Sequence, residues 1–324
     1  MAVVSVIIPC YNAENYIEVC LDALSKQTFK DFDVILIDDC SLDNTAERIE
    51  KYRISHNLDI KYMRNEVNSG PSKSRHYGVE STDSEYVAFC DSDDWYEADF
   101  LQKMIGEARK KSADIVFCNM QKVLPNGTKI KSDAIGGIVS DISVSEALSF
   151  GVDSMCTMLI KRDIVVDTPF IDIRNGEDMA MVPLMIIRSA KFGAVRDCLY
   201  NYFCRPGSAS LFVDENVVRS LEQSFDFIYN NRDIRYEKEI EFVGIKNVVY
   251  GVLLNHFKYS TVKEFARRVL NEFEKKYPEW AKNEYVNKLT VFKKLFVSLA
   301  KRRMFFGVKC LCKIHTFLTG SEEG

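Results

Sequence analysis

The sequence predicts an α/β protein with a doubly wound, mostly parallel sheet, followed by a helical C-terminal region. Two observations carry that prediction. Short β-branched runs alternate with stretches of helical periodicity over the first half of the chain, and from Asn216 onward helical periodicity is almost unbroken. With 324 residues, 47% apolar and 28% charged, the chain can bury a core without disulfide or metal staples. Val3 to Ile8 is a continuous apolar run stopped by Pro9, as expected of a strand buried on both faces. Ala13 to Gln27 places Tyr16, Ile17, Cys20, Leu21 and Leu24 at helical spacing. Strand Phe32 to Ile37, helix Asn44 to Ile54, strand Ile60 to Met63, helix Ser72 to Val79 and strand Tyr86 to Cys90 continue the alternation. A helix from Glu97 to Lys111 and a strand from Asp114 to Asn119 follow, and Pro125-Asn126-Gly127 reads as a hairpin turn between Gln121–Leu124 and Thr128–Lys131.

The expected organisation is a domain at 1–215, with halves 1–120 and 121–215, then a helical region at 216–324. Net charge is −4, too mild for a nucleic-acid binder, but nine basic and three acidic residues from Lys282 onward leave an acidic body with a basic tail. The ten cysteines include no C-x-x-C pair and read as free thiols of a reducing compartment. The N-terminus has no basic leader and no uncharged apolar run reaches about 18 residues, so a cytoplasmic location without a spanning helix is expected.

In such a sheet, ligands gather beyond the carboxyl ends of the strands. The predicted strands end in Pro9, Tyr11 and Asn12, in Asp38 and Asp39, in the loop Asn68 to Arg75, and in Asp91 and Asp93. A single strand-end Asp is as often a helix cap. Asp91-Ser92-Asp93-Asp94 is the sharpest element, because two carboxylates at i and i+2 leaving a buried strand can address one divalent cation and a diphosphate together. Without a cation nearby, three acids in one turn repel one another. The four histidines are scattered away from any Ser or Cys motif, and no G-x-G-x-x-G or P-loop pattern occurs, which removes hydrolase-triad, dinucleotide and P-loop readings.

Taken in order, Val6-Ile7-Ile8-Pro9-Cys10-Tyr11-Asn12, Ile37-Asp38-Asp39-Cys40-Ser41-Leu42-Asp43-Asn44-Thr45, Asn68-Ser69-Gly70-Pro71-Ser72-Lys73-Ser74-Arg75 and Asp91-Ser92-Asp93-Asp94 resemble the successive motifs of inverting GT-A glycosyltransferases of family 2, the group that includes chitin, cellulose and hyaluronan synthases. The resemblance covers about residues 3 to 210. It implies a GT-A nucleotide-diphospho-sugar transferase fold, with nucleotide-sugar binding in 1–120 and the acceptor side in 121–215, a nucleotide-sugar donor and Mn²⁺ or Mg²⁺. By the same resemblance Pro9, Tyr11, Asn12 and Asp39 line the base pocket with Arg75 close by, Asp91 meets ribose or metal, and Asp93 is the principal metal ligand. The Asp39 type of contact suits uracil, hence a UDP-linked donor. Arg174-Asn175-Gly176-Glu177-Asp178 resembles the family's Glu-Asp pair, which makes Asp178 the general base, and the segment Arg205-Pro206-Gly207-Ser208 resembles one that closes over the diphosphate.

Two departures stand out. Cys40 replaces the usual Gly after the Asp pair, so a turn made without left-handed backbone is expected there. Ser74-Arg75-His76 replaces Ala-Arg-Asn.

The function so implied is non-processive, inverting transfer of one sugar to a glycan acceptor hydroxyl, in bacterial surface polysaccharide synthesis. The absence of a Q-x-x-R-W signature argues against a processive synthase. Two alternatives are a sugar-phosphate nucleotidyltransferase, which should show a Gly-rich basic N-terminal loop, and a non-catalytic nucleotide-sugar binder or membrane scaffold. Leu289, Phe292, Leu295, Phe296 and Leu299 share one helical face, with Lys294 and Lys301 opposite. Residues 288–319 are therefore read either as a peripheral contact with the inner face of the plasma membrane, which would suit a lipid-linked acceptor, or as helices packed on the protein with a solvated basic face.

Overall fold

The computed structural model describes residues 2–136, 141–150, 152, 154–173, 176–205 and 214–319. The chain divides into two compact units. The first comprises Met1–Arg174 and Leu184–Arg205, and the second comprises Asn175–Pro183 and Pro206–Gly324.

The first unit is a mixed sheet. Strands β1 (Val4–Cys10), β2 (Phe32–Asp38), β3 (Ile60–Arg64) and β4 (Tyr86–Phe89) are parallel, and helices α1 (Ile17–Ser25), α2 (Thr45–Ser55) and α3 (Pro71–Glu80) connect them. β5 (Trp95–Tyr96) and α4 (Phe100–Lys111) lead to β6 (Ile115–Val123) and β7 (Lys129–Lys131). After α5 (Val144–Ser149) come β8 (Met158–Lys161), α6 (Arg162–Asp167), α7 (Glu177–Arg188), of which the part from Leu184 belongs to this unit, and β9 (Phe192–Phe203). The strand order is β3-β2-β1-β4-β8-β6-β9-β5, with β7 on β6. β1 is buried along its whole length, and Val6, Ile7 and Ile8 are fully covered, each adding about 1.5–3 kcal/mol of apolar burial.

The parallel half follows the sequence expectation, because strands covered on both faces read as unbroken apolar runs. Some boundaries differ. The predicted strand Asp114–Asn119 and hairpin arm Gln121–Leu124 are one strand, β6, whose register against β9 shifts on either side of Asn119. The hairpin itself forms, with Gly127 at φ +81°. α1 starts at Ile17 because Ala13 to Tyr16 form the turn that precedes it. All ten cysteines are free thiols.

α3 is positioned by a missing side chain. Gly70 at φ +87° turns the chain into Pro71, the first helical residue, whose absent N–H would have no helical partner anyway. About two turns later Gly78 lies against β1, where a Cβ would come within 2.4 Å of Ile7 Cγ2. The close approach places Arg75, in the same helix, beside the end of β4.

The second unit is helical. α8 (Glu215–Asn231) is capped by the Asp214 carboxylate on the Val217 amide, and a run of α9 (Glu237–Gly244), a π-wound stretch Ile245–Val252 and α10 (Leu253–Tyr259) follows. Then come α11 (Lys263–Lys276), α12 (Val291–Lys301) and α13 (Phe305–Thr319). Trp280, Phe225 and Phe273 fill its core. No helix among the described residues is long and apolar enough to cross a membrane.

Candidate active site

The carboxyl ends of β1, β2 and β4 meet at one edge of the first unit's sheet. Pro9 lies within β1 opposite Ile37, and Tyr11 and Asn12 follow it. Asn12 and the second strand end hold each other. Ser41 Oγ accepts from the Asn12 amide at 3.0 Å, and Asn12 Oδ1 accepts from the Leu42 amide at 2.8 Å. Both turns use left-handed backbone, with φ +50° at Asn12 and +64° at Cys40. Cys40 thus adopts the conformation that the usual glycine would take freely, which corrects the expectation of a turn without it and costs about 1–2 kcal/mol for an L-residue.

Asp38 and Asp39 are both buried but do different work. Asp38 accepts from the Tyr62 hydroxyl at 2.7 Å, from Arg64 at 2.9 Å and from the Ser41 amide at 2.9 Å, binding β2 to β3. Asp39 accepts from the amides of Ser69 at 2.8 Å and Gly70 at 2.7 Å and from Asn65 Nδ2 at 2.7 Å. Its carboxylate therefore shapes the loop entering α3 and is itself fixed in direction.

Beyond β4 lies the acid cluster. Arg75, largely buried, donates to Asp91 Oδ1 at 2.5 Å, so the structure places it on the acid pair. Arg205 Nε donates to Asp93 Oδ2 at 2.5 Å, and its guanidinium stands 5.3 Å from the centre of the Tyr16 ring. Burial, then the Asp91 charge, push the Asp93 carboxyl above its ordinary range, and Arg205 opposes them. Tyr16 and Trp95 each lie about 6 Å from Phe203, centroid to centroid, and form an aromatic wall beside this pair.

Asp94 is the functional residue that sequence reasoning left without a role. It is fully buried, accepts from the Tyr200 hydroxyl at 2.5 Å and from the Phe203 amide at 2.7 Å, and so fastens the end of β9 beneath the acid turn. Arg205 follows that strand by two residues. The signal available in the sequence was the third acid of the strand-end turn, one more carboxylate than a nucleotide-bound cation needs.

A divalent cation fits this donor set. Asp91 and Asp93 offer hard oxygen ligands in a partly buried setting where their mutual repulsion already recruits two guanidinium groups. Among the described residues no three His, Cys, Asp or Glu side chains converge as a metal cage, so the remaining ligands would be water and phosphate oxygens, the usual manner of Mg²⁺ with nucleotides.

Asp178 occupies the first turn of α7 and belongs to the second unit. It follows Gly176 at φ +80°, whose carbonyl accepts from Ser224 Oγ of α8 at 2.9 Å, and Glu177 beside it is buried. The helix N-terminus favours an ionised carboxylate there. Arg174, Asn175 and Ser208 lie outside the described residues.

A sheet that gathers strand-end acids under two arginines, with this strand order, defines the GT-A fold of nucleotide-diphospho-sugar transferases. Residues 5–167 match the model of Glycosyl transferase family 2, half the chain, and the protein belongs to that family. Over 285 residues, 85% of this chain, it is 27% identical to the Staphylococcus aureus poly(ribitol-phosphate) beta-N-acetylglucosaminyltransferase TarS, and it spans about half (47%) of that relative's length. The crystal structure of S. aureus TarS 1–349 in complex with UDP superposes with a TM-score of 0.72 at 20% identity, covering 99% of this chain and 92% of that one. A mannosyltransferase from Pyrobaculum calidifontis in complex with GDP-Man and Mn²⁺ superposes at 0.55, with 14% identity and 95% and 86% coverage. At these identities the structural likeness shows the fold.

Proposed function

We propose that the chain is an inverting, non-processive glycosyltransferase that moves one sugar from a UDP-linked donor to a glycan hydroxyl in bacterial surface polysaccharide synthesis. The observation that carries this reading is the acid pair Asp91 and Asp93 at the end of β4, each under its own arginine. Two similar proteins support the donor and the cation by what they hold, UDP in one and GDP-Man with Mn²⁺ in the other.

In this reading Pro9, Tyr11, Asn12 and Asp39 receive the base, and Asp91 and Asp93 hold Mn²⁺ or Mg²⁺. The bound ion would supply positive charge to the diphosphate as it leaves. Arg205, already mounted on Tyr16 and Asp93, would face the same phosphates, and Arg75 keeps Asp91 aimed. Asp178 takes the acceptor hydroxyl proton, a role suited to a carboxylate held charged by a helix N-terminus. No covalent enzyme intermediate is needed, and displacement opposite the diphosphate inverts the anomeric centre.

The test uses a radiolabelled nucleotide sugar with and without Mn²⁺. Slow, metal-dependent release of sugar from one donor is expected of the wild type. Asp178→Asn should lower transfer by at least about 10²–10⁴-fold while donor affinity stays nearly unchanged. Full activity in that variant removes Asp178 from the mechanism. Metal-independent binding with no turnover on any donor favours a non-catalytic nucleotide-sugar binder instead.

A further inference from the structure

We propose that the outer faces of α12 and α13, with the turn joining them, dock the protein on an anionic lipid bilayer. The inner faces of these helices are used up by packing. Phe296, Val297 and Ala300 of α12 and Phe305, Val308 and Leu311 of α13 are buried against the second unit's own core. Of the apolar face expected from periodicity, Phe296 is buried but Leu295 is half exposed, and Leu289 precedes the helix. A second apolar set is left facing water. Phe306 is 77% exposed, Met304 51% and Val291 83%, and Leu295 and Ile314 are about half exposed. Val291, Leu295 and Arg302 follow one stripe of α12 and its end, and Phe306, Cys310 and Lys313 follow one stripe of α13.

The charge around these side chains selects the occupant. From Lys288 to Gly320 the chain carries eight Lys and Arg and no Asp or Glu. Lys301 and Arg303 fold back onto Glu274 of α11 at 2.9 and 2.8 Å. Arg302 and Lys313 are exposed beside the apolar set. A second copy of this chain would bring like charge against like charge across a self-complementary contact. A soluble polyanion would match the cations and leave Phe306 and Met304 in water. An anionic bilayer satisfies both at once, headgroups meeting the cations and the acyl boundary receiving the apolar side chains. With no spanning helix among the described residues, the contact is one of surface docking.

The experiment is co-sedimentation of the full chain with vesicles of phosphatidylcholine alone or mixed with phosphatidylglycerol, with inorganic polyphosphate as competitor and light scattering for oligomeric state. Binding to the mixed vesicles, weak binding to phosphatidylcholine and weakening at about 0.5 M salt are expected. Phe306→Asp should lower the bound fraction about tenfold, and Arg302→Glu with Lys313→Glu should abolish the preference for phosphatidylglycerol. Ile54→Asp, at an equally exposed site on α2, should change nothing. Circular dichroism and melting unchanged from wild type certify each variant's fold. The proposal is overturned by absent binding to mixed vesicles, by a folded Phe306→Asp variant that binds as wild type does, by polyphosphate binding that survives Phe306→Asp while vesicle binding is absent, or by a dimer that Phe306→Asp dissociates.

Discussion

Asp94 shows how much a single carboxylate sets at this site. Burial, then Asp91 and Asp93, push its carboxyl up to about 8, against the pull of the Tyr200 hydroxyl and the Phe203 amide. Its folded value lies above the ordinary 3.8, so the folded state holds the proton more tightly than the unfolded chain. The associated stability is complete below about pH 4 and is lost as pH rises through about 8. Asparagine keeps the shape, accepts from the Phe203 amide and can donate to the Tyr200 oxygen. Asp94→Asn is therefore expected to flatten this pH dependence. Urea midpoints measured from about pH 5 to about pH 9 should fall for the wild type relative to the variant, and a constant difference between them refutes the assignment. The role of Asp94 was illegible in the sequence because its partners lie more than a hundred residues away. The acids and amides at the strand ends were legible singly, but not the pairing of Arg75 with Asp91, which depends on the seat of a whole helix.

That seat is an element-scale property. α3 rests on β1 through Gly78, and an added methyl group has no room beside Ile7. Gly78→Ala should destabilise the fold by about 1–3 kcal/mol through overpacking, read as a lower urea midpoint, and should weaken nucleotide binding as Arg75 is displaced. A midpoint equal to wild type would show that α3 can shift at little cost. The strands β1 to β4 were legible because continuous burial leaves a continuous apolar signature. β9 was not. Its sequence carries Arg196, Asp197, Asn201 and Tyr202, its burial alternates irregularly, and its register against β6 slips at Asn119, so no period of two survives. β8 is four residues long and β5 two, too short for any pattern.

For the whole molecule, a ligand that binds only the folded state raises its stability by mass action. UDP with Mn²⁺ at about a hundred times its dissociation constant should add about 2.7 kcal/mol, seen as a melting-temperature rise of a few degrees. EDTA should cancel that gain, and ADP should not reproduce it. A rise indifferent to EDTA would mean that Asp91 and Asp93 hold no ion. The helical character of the C-terminal part was legible from Asn216, and α8 starts at Glu215. The grouping of Asn175–Pro183 with that part was not, since periodicity reveals a helix without saying which body it joins. Composition disclosed the basic tail but not which of its apolar side chains face water, because that depends on which stripe the core consumes.

The clamp of Asp94 on Tyr200 and Phe203 makes the tail of β9 a ruler. Strand residues advance about 3.3 Å apiece and alternate sides, so losing or gaining one residue between Tyr200 and Arg205 would retract or overshoot the guanidinium by that step and turn it away from Asp93. Length between the clamp and the arginine is therefore intolerant of drift, whatever side chains occupy it.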